Sequence, residues 1–249
     1  MYMNGLLVLF LLILIAIIPV CLVYLWFRIA RFPLSLPWVL FFLLSGAAAL
    51  FAALLLQNFF PTILPVNSRL GAVIFNIFCK IALTEELCRL LMLLLFFKIL
   101  NLLGKGISAA KAPGPAARTV NAADPVPGIF SGNDAVWGSV AGLFAGLGFA
   151  LIENAAYGAA NMGVTLLRAF TAAPLHGACG ARVGAAVVVF RDHPLPALMR
   201  FLSAVAIHGM YNFMLLLPGI STVLAVFAAF SALGSSVLFI HGVLRGQKG

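Results

Sequence analysis

Three glutamates stand where carboxylates are costly. Glu85 and Glu86 occur in IALTEELCRLLMLLL and Glu153 in GLGFALIENAAYG, and each lies in an apolar run. An ionised carboxylate at the centre of a membrane-spanning helix costs roughly 2.5–3.5 kcal/mol. The three aspartates, Asp124, Asp134 and Asp192, all fall between such runs. Two histidines, His176 in PLHG and His208 in HGMYN, share the apolar setting of the glutamates. Glu and His brought together out of water can move protons, position a water or hold a metal ion.

Helical spacing refines this. At about 100° per residue, Arg89 lies about 40° from Glu85 and about 60° from Glu86. One guanidinium neutralises one carboxylate and leaves the second for chemistry or for a metal. A purely structural ion pair is the plain alternative, and two adjacent glutamates fit it poorly. Gly138, Gly142, Gly146, Phe149 and Glu153 fall within about 80° of arc, so Glu153 shares a stripe of small residues that admits a neighbouring helix. Asn154 lies about 100° further round, placed to bond elsewhere. Ala172, His176 and Gly180 share one face, with Pro174 removing a backbone donor just before His176. His208 and Asn212 are spaced i, i+4 on another.

The elements that carry these residues are membrane helices. The chain of 249 residues is 64% hydrophobic and 8% charged, with mean hydropathy +1.16. So few charges cannot cover a soluble domain. Seven runs, at 5–27, 38–57, 72–103, 136–160, 166–190, 197–217 and 220–243, are long enough to span about 30 Å of hydrocarbon. The first lacks a basic leader and a small-residue cleavage site, and reads as a retained helix. Taken by alternate connections, Lys and Arg number 10 on one side and 2, Arg69 and Arg168, on the other. The positive-inside rule then puts the N-terminus outside and the C-terminus in the cytoplasm. Formal net charge is +9; topology accounts for it, and nucleic acid is not an expected partner. The four cysteines lie in apolar runs without metal-finger spacing and read as packing residues.

The fold expected is therefore an all-α polytopic membrane protein of about seven transmembrane helices, one integral domain over 1–249. Residues 104–133, rich in Gly, Ala and Pro, read as a cytoplasmic linker within it. Ser131, Asn133 or Asp134 is placed to cap the helix that follows. Arg182 lies where it can snorkel to the cytoplasmic face, and nothing in the sequence accounts for Lys80. Counting residues from the helix ends sets Glu153, His176 and His208 roughly 10–15 Å deep in the outer half of the bilayer.

Four motifs in order resemble the PrsW family of intramembrane proteases, related to the CAAX prenyl protease and bacteriocin-processing group. They are EELCR, FALIEN, PLHG and HGMYN, running from about Ile81 to Phe213. The resemblance implies that helices within 72–217 are catalytic. It implies catalytic roles for Glu85, Glu86, Glu153, His176 and His208, with Arg89, Asn154 and Asn212 supporting them. PrsW sequences often carry Asp at the position of Asn212; Asn suits an oxyanion donor and is a poorer metal ligand. There is no HExxH, so a metal-free mechanism with a glutamate as base is favoured and no cofactor is expected. The alternative is zinc held by Glu86, Glu153, His176 and His208. The implied substrate is a single-span membrane protein, such as an anti-sigma factor, cut on its extracytoplasmic side in a bacterial inner membrane. Two other readings compete: a non-catalytic scaffold that binds membrane helices, and a proton-coupled transporter. The transporter would require a polar path to both faces and an inverted repeat, and the sequence shows neither.

Overall fold

The computed structural model of the protein describes residues 5–32, 34–59, 69–110, 134–158, 162–216 and 220–246. Apart from short turns, every described residue is helical. The helices are α1 (Gly5–Ile29), α2 (Leu36–Phe59), α3 (Arg69–Phe75), a π-helical segment (Asn76–Leu83), α4 (Thr84–Ala110), α5 (Asp134–Gly158), α6 (Met162–Val189), α7 (Pro194–Leu216) and α8 (Ile220–Gly246). Because α3, the π segment and α4 follow without a break, the described residues form seven long helices, as the apolar runs indicated.

Among the described residues, five stretches are long and apolar enough to cross a membrane: Phe10–Ile29, Leu36–Phe59, Ala135–Gly158, Gly163–Val189 and Val223–His241. The other two long helices carry polar residues that lower their hydropathy. Glu85, Glu86 and Arg89 lie on α4, and Arg200, His208 and Asn212 lower the hydropathy of α7. α4 continues to Ala110, seven residues into the stretch read as a linker. The rest of that stretch, with Ser131 and Asn133, lies outside the described residues.

α5 and α6 form the most extensive helix pair and are the most deeply buried. Their antiparallel contact is made through glycine. A Cβ at Gly142 would overlap the carbonyl of Gly180, and one at Gly138 would approach the carbonyl of Gly184. At Gly146 it would overlap the carbonyl of His176. Only glycine lets these backbones touch, so the stripe expected from the sequence fixes the height of His176 beside α5. On its other side α5 meets α2, where Gly46 faces the backbone of Ala145 and Gly148 that of Leu43.

Two local features set the surrounding helices. α1 ends in a Schellman motif, with Phe32 N–H donating to Phe27 O (3.0 Å) and Arg31 N–H to Arg28 O (3.1 Å). Arg31 takes the left-handed conformation this requires (φ 57°), and Phe27 packs against Phe32 with ring centroids 5.3 Å apart. In the π segment the hydrogen bonding widens each turn. The ordinary 100° per residue therefore does not hold across it, Lys80 included. The Thr84 hydroxyl closes the segment by donating to the carbonyls of Lys80 and Ile81, which delivers Glu85 and Glu86 at the start of α4.

Candidate active site

Four helices, α4, α5, α6 and α7, bring Glu86, Arg89, Glu153, Asn154, His176 and His208 into one hydrogen-bonded chain. Glu86 is fully buried and accepts from two sides: Arg89 Nη1 donates to Oε2, and His208 Nδ1 lies 2.8 Å from Oε1. An ionised carboxylate only accepts, so Nδ1 of His208 carries the hydrogen and Nε2 is turned toward Glu85 Oε2, 3.6 Å away. Arg89 Nη2 lies 3.3 Å from His176 Nδ1. Guanidinium only donates, so Nδ1 accepts and Nε2–H of His176 donates to Glu153 Oε2 at 2.9 Å. Arg168 Nη2 donates to the same oxygen at 2.6 Å, and Arg168 Nε to Asn154 Oδ1 at 2.9 Å.

The phenylalanine of FALIEN has a physical task here. The ring of Phe149 lies 4.6 Å from the guanidinium carbon of Arg89 and 5.0 Å from the His176 ring. It covers the cation with a π face and keeps water from the Arg89–Glu86 pair. The rings of His176 and His208 meet edge-on at 4.9 Å. Gly209 belongs to the same assembly, since Phe78 of the π segment packs where a Cβ would stand.

Each carboxylate thus has a different environment. Glu86 is locked by a guanidinium and an imidazole. Glu153, with its side chain 17% exposed, is paired with Arg168 and His176. Among the described residues Glu85 has no guanidinium partner; Gln57 Nε2 donates to its Oε1 at 3.2 Å, while its buried Oε2 accepts no hydrogen bond. Glu85, Glu153 and His176 line a cavity of about 500 Å³ with Arg168, Tyr157, Tyr211 and Asn212. Its remaining walls include Leu50, Leu54, Ile77, Ile81 and Leu215.

The sequence patterns did not single out Gln57, Tyr157 or Arg168. Arg168 was counted with the connections, yet it stands in α6, stacked 4.1 Å from the Tyr157 ring. Its signal was present: Arg168, Ala172 and His176 are spaced i, i+4, i+8, so the face assigned to His176 reaches Arg168 one turn earlier.

The donor set suits a metal ion. Glu85, His176 and His208 each offer one ligand atom, all within 4.8 Å of one another. Two nitrogens and a carboxylate oxygen match catalytic zinc with one position open. The unpartnered Oε2 of Glu85 and the Nε2 of His208, oriented by Glu86 behind it, are prepared for this role. His176 joins them by giving up one of its two hydrogen bonds. This group differs from the four ligands inferred from sequence, because the oxygens of Glu86 and Oε2 of Glu153 are engaged by Arg89, His208, Arg168 and His176.

A model of the PrsW family of intramembrane metalloproteases matches residues 34–237. The chain belongs to that family. It is accordingly an integral membrane peptidase, and the PrsW match spans every residue of the cluster. No curated protein and no solved structure matches the chain.

Proposed function

We propose that the protein cuts a peptide bond in a single-span membrane protein, with Glu85 as the base that activates water. The observation that carries this is the unequal pairing of the three carboxylates. Glu86 and Glu153 are neutralised by Arg89 and Arg168, whereas Glu85 lines the cavity without a guanidinium among the described residues and keeps an oxygen that accepts no hydrogen bond. A base needs that lone pair. Water bound to Glu85 loses its proton to Oε2 as it attacks the carbonyl, and the same proton passes to the departing amine. Asn212 lines the cavity and donates to the developing oxyanion; His208, when protonated, donates from Nε2 beside it. Glu153 and Arg168 hold His176 in its tautomer. The leucines and isoleucines of the cavity accept an apolar segment of an unwound substrate helix. A zinc ion held by Glu85, His176 and His208 would, when bound, polarise the carbonyl and acidify water in place of the roles given to Glu85 as base and His208 as donor.

The cavity lies at the end of the bundle where α2, α5 and α7 finish and α6 begins. With Arg168 engaged inside the protein, the connections at that end are poorer still in cations. The positive-inside rule makes it the extracytoplasmic end, in a bacterial inner membrane, where an anti-sigma factor is one substrate of the right kind.

The test is cleavage of a single-span reporter by protein reconstituted in liposomes. Glu85→Gln is expected to lose about 10²–10⁴ in rate while keeping its unfolding midpoint. A fully active, stable Glu85→Gln protein would remove Glu85 as base. Adding 1,10-phenanthroline to the wild type reads metal dependence on the same reporter.

A further inference from the structure

A second polar cavity, of about 190 Å³, lies toward the opposite end of α6. Its lining comes from four helices: Ser139 of α5, Arg182 of α6, Arg200 of α7, and Ser235, Ser236 and Phe239 of α8. Arg182 stands seven residues before the end of α6 and Arg200 six residues after the start of α7, about two turns in from the α6–α7 turn.

The charge in this cavity is of one sign. Arg182 Nη1 donates to Ala178 O (3.0 Å), Ala232 O (3.2 Å) and Ser236 Oγ (2.9 Å), and Nη2 to Ser235 Oγ (2.7 Å). All four acceptors are neutral. Arg200 lies over the Phe239 ring at 5.3 Å. Among the described residues no carboxylate pairs with either guanidinium, and the two are near enough for their charges to repel. Cations within a membrane protein are costly without an anion. The Ser235 and Ser236 hydroxyls donate to Ala232 O (2.8 and 3.1 Å) and hold Arg182 in place. The remaining guanidinium N–H groups and the Ser139 hydroxyl around one space form a donor set that receives phosphate oxygens. About six waters' share of liquid volume is available, enough for a phosphate group.

We propose that this cavity binds an anionic phosphate group, with Arg182 and Arg200 supplying the charge and Ser139 a hydroxyl. A phospholipid headgroup and free phosphate share this chemistry. The proposal does not depend on the peptidase reading, since no residue is shared between the two cavities.

Full-length protein, delipidated in a neutral detergent, is titrated with short-chain phosphatidic acid, phosphatidylglycerol, phosphatidylcholine and inorganic phosphate while its unfolding midpoint is followed. A saturable rise with the anionic lipids and none with phosphatidylcholine or inorganic phosphate assigns a lipid headgroup. A saturable rise with inorganic phosphate as well assigns the free ion, and either result supports the site. Arg200→Gln is expected to raise the half-saturating concentration about tenfold or more, the scale of losing one charged hydrogen-bond partner. Ser139→Ala keeps both charges and is expected to weaken binding several-fold, which keeps the proposal testable should Arg200→Gln fail to fold. No saturable rise with any anionic species overturns the proposal. Binding unchanged in the variants overturns it too.

Discussion

The two ends of α6 solve the same physical problem differently. Toward its start, Arg168 and the neighbouring Arg89 each meet a carboxylate, and His176 ties the pairs into one chain. Toward its end, Arg182 meets only neutral oxygens, and Arg200 meets an aromatic face. Between them lie Ala178, Cys179 and Gly180, all buried, with Gly180 against the backbone of Gly142. Matched charges hold side chains at fixed positions, which is what a reaction requires. Unmatched charges leave a standing attraction for an anion. The apolar layer that divides them also counts against a proton-coupled transporter, since among the described residues no polar path runs along α6 from one cavity to the other.

The comparison is most exposed at Arg89. Its guanidinium is fully buried, and removing it leaves the equally buried Glu86 with His208 alone. Arg89→Gln is expected to destabilise the protein by about 3–5 kcal/mol, the cost of stranding a buried charge. Thermal unfolding in detergent checks this. A near-wild-type midpoint would show that Glu86 does not need its cation, and the claim of matched charge at this end would fail.

Glu153 and Arg168 are partly exposed, with side chains 17% and 18% accessible, so water screens part of their attraction. Glu153→Gln keeps the shape and loses the charge. It is expected to cost about 1.5–3 kcal/mol, the range for hydrogen bonds to a charged group. Activity should fall by more than the unfolded fraction explains, because His176 loses the acceptor that fixes its tautomer. A double-mutant cycle with Arg168→Gln, read as stability and as kcat, should show coupling between the two sites. Strict additivity would mean that the pair does not act as one unit.

How much of this the sequence carried depended on the range of the interaction. The glycine stripe of α5 was readable because its spacing lies within one helix, and it does receive α6. The pairing of Arg89 with one of two adjacent glutamates was readable for the same reason. That Glu86 takes the guanidinium while Glu85 faces the cavity was not, because both angles allowed the contact and packing decided between them. Nor was Gln57 legible: a polar residue near the end of an apolar run acquires meaning only when α2 is laid beside α4. Arg168 was hidden by the counting that gave the topology, which treats every cation near a helix end as a loop charge. The π segment was invisible to periodicity, since an apolar stretch with one wide turn reads as ordinary helix. Arg182 was read as free to reach the membrane face; three of its hydrogen bonds go instead to α8.

The smallest effect expected is at Arg200, and it completes the comparison with Arg89. Both are arginines within the bundle, and both lie over a phenylalanine ring, at 4.6 Å for Arg89 and 5.3 Å for Arg200. They differ in whether an anion stands opposite. Removing Arg200 forfeits a cation–π contact worth about 0.5–1 kcal/mol at a partly exposed site. It also relieves the repulsion with Arg182, which acts in the other direction. In delipidated, phosphate-free protein the two nearly cancel, and Arg200→Gln should lie within about 0.5 kcal/mol of wild type. With a saturating anionic ligand present, the wild type should unfold at a higher temperature than the variant, because ligand bound only to the folded state stabilises it. Unfolding midpoints measured with and without the ligand separate these contributions. A loss of about 2 kcal/mol or more in the ligand-free state would mean that Arg200 already has a counter-charge in the folded protein. The two ends of α6 would then be built alike, and no attraction for an outside anion would remain.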